Sequence, residues 1–221
     1  MINKDPENIK NMFDEISPYY DEMNNLISLG THKIIKLLAL KNLNIKANTM
    51  LLDLCCGTGD FTQIIAKIQP KARVIGLDNS IKMIKHAKIK NPNKAFIVGD
   101  CTELSFKDEE FDYITIGFGL RNVQNRSKAI NEIYRTLKKG GKFLHLDFGK
   151  HNYTSNIFAH LVQLITKFKN VNTQSYQYLL NSKEAYPEPE ELIEEFCEHG
   201  FKFVKRVDFM FGVISAQIFT K

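Results

Sequence analysis

Leu51-Leu52-Asp53-Leu54-Cys55-Cys56-Gly57-Thr58-Gly59-Asp60 is an apolar run that ends in a turn holding two glycines. Phe61, Ile64, Ile65 and Ile68 follow at helical spacing, so the run predicts a buried strand joined by a tight turn to an amphipathic helix. A ligand can sit on such a turn. Gly57 and Gly59 let it approach the backbone without a Cβ in the way, and the first turn of the helix offers unpaired N–H groups. The turn is not a phosphate loop: the Gly-Lys-Ser/Thr ending is absent, and Thr62 stands where a dinucleotide fingerprint carries its third glycine.

The strand–helix alternation continues. Arg73 to Asp78 reads as a second strand closed by an acid 25 residues after Asp53, Lys94 to Asp100 as a third closed by Asp100, and Phe111 to Gly117 as a fourth closed by Gly117. An acid at the end of the second strand can accept both hydroxyls of a ribose. Any one of these residues serves equally well as a helix cap or turn former. Four in succession point instead to one crevice outside the carboxyl ends of a parallel sheet.

A ligand with a ribose to hold and no phosphate to cradle fits S-adenosylmethionine. Asp53 to Asp60 resembles the first motif of class I methyltransferases, with Cys55 where many members carry glycine. Tyr20-Asp-Glu-Met-Asn24 with Ser28 and His32, Gly117-Phe-Gly-Leu-Arg-Asn-Val123, and Arg135 to Gly141 through Asp147 resemble the ubiquinone/menaquinone C-methyltransferases. The likeness runs from about Ile9 to the C-terminus. Departures are Ile35 for a tryptophan, Thr136 for a valine, Lys139 for a proline and Asp147 for a glutamate.

The resemblance implies a Rossmann-like α/β fold: a seven-stranded, mostly parallel sheet with helices on both faces and an antiparallel last strand between the fifth and sixth. It implies cofactor contacts at Thr58 in the turn, Asp78 on the ribose, Asp100 and Cys101 beside the adenine, and Gly117. Asp53 and Gly57 to Gly59 would flank the methionine end. The reaction it implies is methyl transfer to a ring carbon of a prenylated quinol, with Arg121 and Asn122 stabilising the ionised ring oxygen. A guanidinium is a permanent cation and a poor base. His32, of a residue type whose ordinary pKa is about 6.5, ranks below Arg121 as a proton carrier.

The remaining chain is expected to complete one domain over 1–221. Ile9, Met12, Phe13 and Ile16 mark an amphipathic helix ending before Pro18, and a second is expected from Lys33 to Asn42; together residues 5–43 form a helical cover or merely cap the core. Ile130, Ile133 and Leu137 mark a helix closed at Gly140-Gly141, with Phe143 to Phe148 as the fifth strand. An insertion over 152–181 reads either as core or as a lid for a lipid tail. Pro187 and Pro189 open a last helix ended by Gly200, and Phe201 to Val207 and Phe211 to Phe219 supply strands six and seven.

Several classes are disfavoured. The fourth strand leads into neither the Asn/Asp-Pro-Pro-Tyr box of amino-group methyltransferases nor the Pro-Cys of RNA cytosine-C5 enzymes. The net charge of +5 is a small excess of 30 basic over 25 acidic residues, which argues against a nucleic-acid partner. Four cysteines without C-x-x-C or histidine at ligand spacing predict thiols and no metal site. A polar start and the lack of an 18-residue apolar run predict a cytoplasmic protein, with peripheral contact at the inner face of the membrane left open, as is a homodimer. The Lys-, Asn- and Ile-rich composition favours demethylmenaquinol as substrate; the alternatives are 2-methoxy-6-polyprenyl-1,4-benzoquinol and a soluble small molecule.

Overall fold

The computed structural model describes residues 5–28, 30–149, 160, 178 and 181–221. Three helices come first: α1 (Pro6–Ile16), α2 (Tyr20–Ser28) and α3 (Thr31–Lys41). Strands and helices then alternate as β1 (Met50–Leu54), α4 (Asp60–Ile68), β2 (Arg73–Asp78), α5 (Ile81–Lys90), β3 (Ala95–Val98), β4 (Phe111–Gly117), α6 (Arg126–Thr136) and β5 (Leu137–Phe148). The described chain closes with α7 (Pro189–Glu198), β6 (Lys202–Phe209) and β7 (Ile214–Thr220).

One sheet takes all seven strands in the order β3-β2-β1-β4-β5-β7-β6. Neighbours from β3 to β5 pair in parallel, and β7 runs antiparallel to both β5 and β6. This is the seven-stranded arrangement with an inserted last strand that the sequence led us to expect. Between β1 and β4 the winding reverses direction, and at such a switch the loops diverge and leave a crevice beyond the strand ends.

Side chains of the strands alternate between two apolar layers. Leu52, Leu54, Ile114, Ile116 and Phe143 pack with Ile130 and Ile133 of α6 and Phe196 of α7. Leu51, Leu144, Leu146 and Ile218 pack on the opposite face with Ile35 and Leu40 of α3 and Phe61 and Ile65 of α4. All but Ile35 and Phe61 are 3 % exposed or less, and each such burial is worth about 1.5–3 kcal/mol.

The caps follow local chemistry. The Ser80 side chain accepts from Met83 N at the start of α5, and Pro189 occupies the first turn of α7 behind a Glu188–Glu191 capping box.

Tyr20 to Asn24, which the sequence placed between the two expected N-terminal helices, open a helix of their own, α2. Three expectations are corrected. The third helix starts at Thr31 rather than Lys33. The helix expected to close at Gly140-Gly141 ends at Thr136, because Leu137 already pairs with Phe111; the glycines form an irregularity inside β5, with Gly140 at φ +72°. The seventh strand begins at Ile214, because Met210 to Gly212 coil into a 3-10 turn with left-handed φ values at all three residues. The 152–181 insertion lies outside the described residues except for His160, Tyr178 and Asn181. Among the described residues no helix is long and apolar enough to cross a membrane.

Candidate functional site

Two cavities open at the carboxyl ends of β1, β2 and β4. The first is lined by Gly57, Asp78, Asn79, Asp100, Cys101 and Asn122, among others, and among the described residues no lysine, arginine or histidine joins the lining. Two carboxylates without a cation repel a phosphate and suit a ligand that brings hydroxyls and positive charge. Gly57 has a left-handed φ of +54°, and the nearest atom to a Cβ built there is a Tyr20 ring carbon at 3.8 Å, so the backbone is open to a guest.

Asp78 is placed by the turn itself. Its Oδ2 accepts the Gly57 N–H and its Oδ1 the Ser80 N–H, both at 2.9 Å. Burial pushes its carboxyl above the usual range, with these amide bonds opposing and the Asp14 carboxylate adding to the rise. Asp100 is exposed and accepts the Thr102 N–H at 2.7 Å.

The second cavity is apolar on its cover side, where Met12, Ile16, Met23 and Ile27 line it. Its polar groups include His32, Lys36, Asp60, Arg121 and Tyr178. Phe13, Tyr20, Cys55, Gly57, Gly117 and Phe118 line both cavities, so these six form the wall between them.

The N-terminal helices cover the crevice through charged tethers. Asp14 of α1 accepts from the Ser80 hydroxyl and, at 3.2 Å, from Lys82 N. Asp21 of α2 accepts the Thr58 hydroxyl and the Lys90 ammonium, and Lys90 also reaches Asp60 at 2.7 Å. Lys36 meets the other Asp60 oxygen at 2.8 Å. Burial by itself would raise the Asp60 carboxyl, but His32, Lys36 and Lys90 around it hold it well below the usual carboxylate range. Met12 and Ile16 of α1, Met23 and Ile27 of α2 and His32 and Lys36 of α3 line the second cavity.

Arg121 and Asn122 occupy a 3-10 turn, Leu120–Asn122, after β4. Arg121 is 5 % exposed; its Nη1 donates to Asp147 Oδ1 at 2.8 Å and to the Phe118 carbonyl at 2.6 Å. The guanidinium carbon lies 5.1 Å from the Phe148 ring centre. Arg121 Nε and Asp147 Oδ2 are buried without a hydrogen-bond partner among the described residues. Asn122 accepts the Tyr178 hydroxyl at 3.0 Å. Although adjacent in sequence, the two face different cavities: Arg121 the second, Asn122 the first.

Three expected cofactor residues are placed elsewhere. Asp53 is 1 % exposed and lines neither cavity. It alternates onto the α4 side of the sheet, directly opposite Thr115 of β4, and accepts from the Thr115 hydroxyl at 3.0 Å and from Thr62 N and Oγ1 at 3.1 and 2.9 Å. It fastens α4 to the sheet. Burial pushes its carboxyl up to about 7 against those three bonds. Gly59 also lines neither cavity: it is the left-handed start of α4, and a Cβ there would lie 2.7 Å from Phe96. Thr58 turns its hydroxyl to Asp21 and lines the second cavity. Cys55 and Cys56 are half-buried free thiols at the cavities.

Sequence reasoning passed over others. Gly119 is required because a Cβ there would lie 2.3 Å from the Cys55 Cβ. Lys36 and Lys90 join the site through packing, with no motif of their own, and Asp60, which closes the first motif, was given no role there. His32, in the quoted signature but ranked second, lines the second cavity with Nδ1 2.7 Å from Ser28 Oγ and Nε2 3.7 Å from Asp60 Oδ2.

Comparison with known proteins adds to this geometry. The sequence profile of the ubiE/COQ5 methyltransferase family matches residues 1–221. A demethylmenaquinone methyltransferase of Lactiplantibacillus plantarum is 37 % identical over 100 % of this chain and 99 % of its own length. One of Staphylococcus carnosus with the same name is 35 % identical over 96 % of this chain and 92 % of its own. Among solved structures, a SAM-dependent methyltransferase from Thermotoga maritima superposes with a TM-score of 0.71 at 20 % identity, covering 96 % of this chain and 99 % of that one. Another from Aquifex aeolicus gives 0.63 at 15 % identity over 90 % and 96 %. These structures share the fold.

Proposed function

The chain belongs to the ubiE/COQ5 methyltransferase family and is an S-adenosylmethionine-dependent methyltransferase, and on that premise we propose that it methylates a ring carbon of a prenylated quinol, converting demethylmenaquinol to menaquinol. One observation carries the reading. A cavity with two carboxylates and, among the described residues, no cation shares six lining residues with an apolar cavity that holds a buried arginine, which supports a methyl donor in one and an acceptor ring in the other. The names of the relatives support the naphthoquinol over the benzoquinol.

When bound, S-adenosylmethionine supplies a methyl group activated by a sulfonium. In our reading Asp78 accepts from its ribose hydroxyls, Asp100 and Cys101 meet the adenine, and Gly57 and Gly117 let the backbone come close. Asn122, on the same cavity, helps orient it. Arg121, fixed by Asp147 and Phe118 O, turns its remaining N–H groups toward the quinol oxygen, and its unpartnered buried Nε supports that role. Arg121 favours the quinolate electrostatically, and the methyl group passes to the ring where the two cavities adjoin, so positioning of the two molecules there contributes to the rate. Met12, Ile16, Met23 and Ile27 give the prenylated ring an apolar bed.

A prenylated substrate partitions into the bilayer, so we place the enzyme in peripheral contact with it. Phe211, 90 % exposed on the turn before Ile214, supports this, because Ile214 lines the second cavity.

The test is transfer of label from methyl-labelled S-adenosylmethionine under reducing conditions, with demethylmenaquinol and the demethylated benzoquinol assayed side by side. Label in the menaquinol ring is the expected result. Label only in the benzoquinol reassigns the substrate, and label in neither, with cofactor binding intact, overturns the quinol reading.

A further inference from the structure

We propose that His32 is the proton acceptor of the reaction, taking the quinol hydroxyl proton on Nε2; the proposal rests on the second cavity being the quinol site.

The hydrogen-bond pattern assigns the tautomer. Ser28 Oγ lies 2.6 Å from the Asn24 carbonyl oxygen and 2.7 Å from His32 Nδ1. A carbonyl only accepts, so the single hydroxyl proton of Ser28 goes to Asn24, and the proton shared with His32 has to come from Nδ1. The lone pair of the neutral ring is therefore on Nε2. That atom lies 3.7 Å from Asp60 Oδ2, beyond direct hydrogen-bond reach, and it is a proton taken up there that lets His32 join Lys36 and Lys90 in holding Asp60 ionised; the residue lines the second cavity.

The surroundings favour a proton arriving there. Asp60 stays ionised because Lys36 and Lys90 each hold one of its oxygens. An imidazolium formed at Nε2 meets a carboxylate already in place, without movement of the protein. The charged and titratable groups facing His32 are Asp60 from α4, Lys36 from α3 and, through Asp60, Lys90 from α5 and Asp21 from α2; Arg121 and Tyr178 share the cavity lining. Arg121 cannot take this role, since a guanidinium holds its protons. A division of labour results: Arg121 stabilises the oxyanion and His32 removes the proton.

The step balances. The quinol O–H bond breaks and its proton forms Nε2–H. The oxygen pair enters the ring, the ortho carbon forms its bond to the methyl group, and the carbon–sulfur bond breaks, its electrons leaving on sulfur. The ring carbon then carries both hydrogen and methyl. Its C–H proton is lost to water as the ring regains aromaticity, and Nε2–H returns its proton to the oxygen. One proton is released per turnover.

The test is steady-state methyl transfer to demethylmenaquinol from pH 5.5 to 9 by the full chain, its His32→Asn, His32→Ala and Ser28→Ala variants. The expected loss in His32→Asn is about 10²- to 10³-fold in kcat near neutral pH, with KM and cofactor affinity little changed, shrinking as pH rises and the quinol ionises unaided. Added imidazole restores turnover in His32→Ala, which a structural role does not predict. Ser28→Ala, which frees the ring to take the wrong tautomer, loses kcat about tenfold. Full kcat in His32→Asn overturns the proposal. If the His32 variants fail to fold, full kcat in Ser28→Ala overturns it. Absence of transfer by the unaltered chain to any quinol overturns the substrate reading and this proposal with it; normal transfer with indifferent variants overturns this proposal alone.

Discussion

Asp21 and Lys90, 69 positions apart in the chain, meet at 2.6 Å and join the helical cover to the end of α5. Asp21 also accepts from Thr58, so a single carboxylate holds α2 against the turn that both cavities share. Asp21→Ala is expected to weaken S-adenosylmethionine binding about three- to tenfold, a modest effect because the pair is partly exposed and screened. Titration calorimetry at low and high salt measures it, with the unaltered protein more salt-sensitive than the variant. Limited proteolysis should cut between α1 and α3 sooner in the variant.

Asp78→Ala is expected to cost about 1.5–3 kcal/mol of cofactor affinity, since it removes a charged acceptor from the first cavity. Asp78→Asn keeps the size and should lose less. Titration calorimetry with a parallel thermal melt separates this from loosening of the Gly57 turn; unchanged affinity in Asp78→Ala would remove the residue from the ribose site.

Gly119→Ala places a methyl against the Cys55 Cβ and should destabilise the fold by about 1–3 kcal/mol. Cys55 has a φ of +51°, which glycine adopts without strain. Cys55→Gly is therefore expected to be stable alone and to restore the Gly119→Ala variant. Urea melts of the two single variants and the double variant make the comparison.

The buried Asp53 carboxyl predicts a slope in stability against pH. Its folded pKa of about 7 lies above the 3.8 of an unperturbed aspartate, so the folded state binds the proton more tightly than the unfolded one. Stability from this group is complete below about pH 4 and is lost as pH rises through 7. Asp60, shifted down, works oppositely and only below about pH 4. Between pH 4.5 and 7.5 the unaltered protein should therefore lose stability relative to Asp53→Asn, as thermal melts at both pH values can read.

Arg121→Met is expected to lower kcat about 10²-fold through loss of oxyanion stabilisation, with the cofactor's dissociation constant unchanged because Arg121 does not line the first cavity. Stopped assays with labelled methyl donor give the first quantity and calorimetry the second.

The sheet was largely legible in the sequence, because buried parallel strands read as apolar runs with sharp ends: Arg73–Asp78 and Phe111–Gly117 match at both ends. The cover was harder. Tyr20, Met23 and Ile27 do stand at helical spacing, but the segment is short and rich in polar residues, and its helix faces a cavity and buries no residue fully. Asp53 misled for the opposite reason: an acid beside a glycine turn reads as a ligand contact, whereas its partners, Thr62 and Thr115, come from one local and one distant position that no short motif links. Arg121 was singled out through its block of neighbours, but that Asp147 anchors it depends on β4 and β5 lying side by side. Lys90 is the extreme case, one lysine among many until α5 brings it to Asp21 and Asp60.

The placing of β7 between β5 and β6 bears on how the protein emerges from the ribosome. The strand made earlier, β6, lies at the sheet's edge with β7 as its one neighbour among the described strands, so it cannot join the sheet before β7 is made. β5 likewise shows a bare edge until Ile214–Thr220 arrives. Nascent chains stalled before that segment should hold the parallel half of the sheet but expose a sticky border, the kind of surface that chaperones bind and that aggregates in their absence.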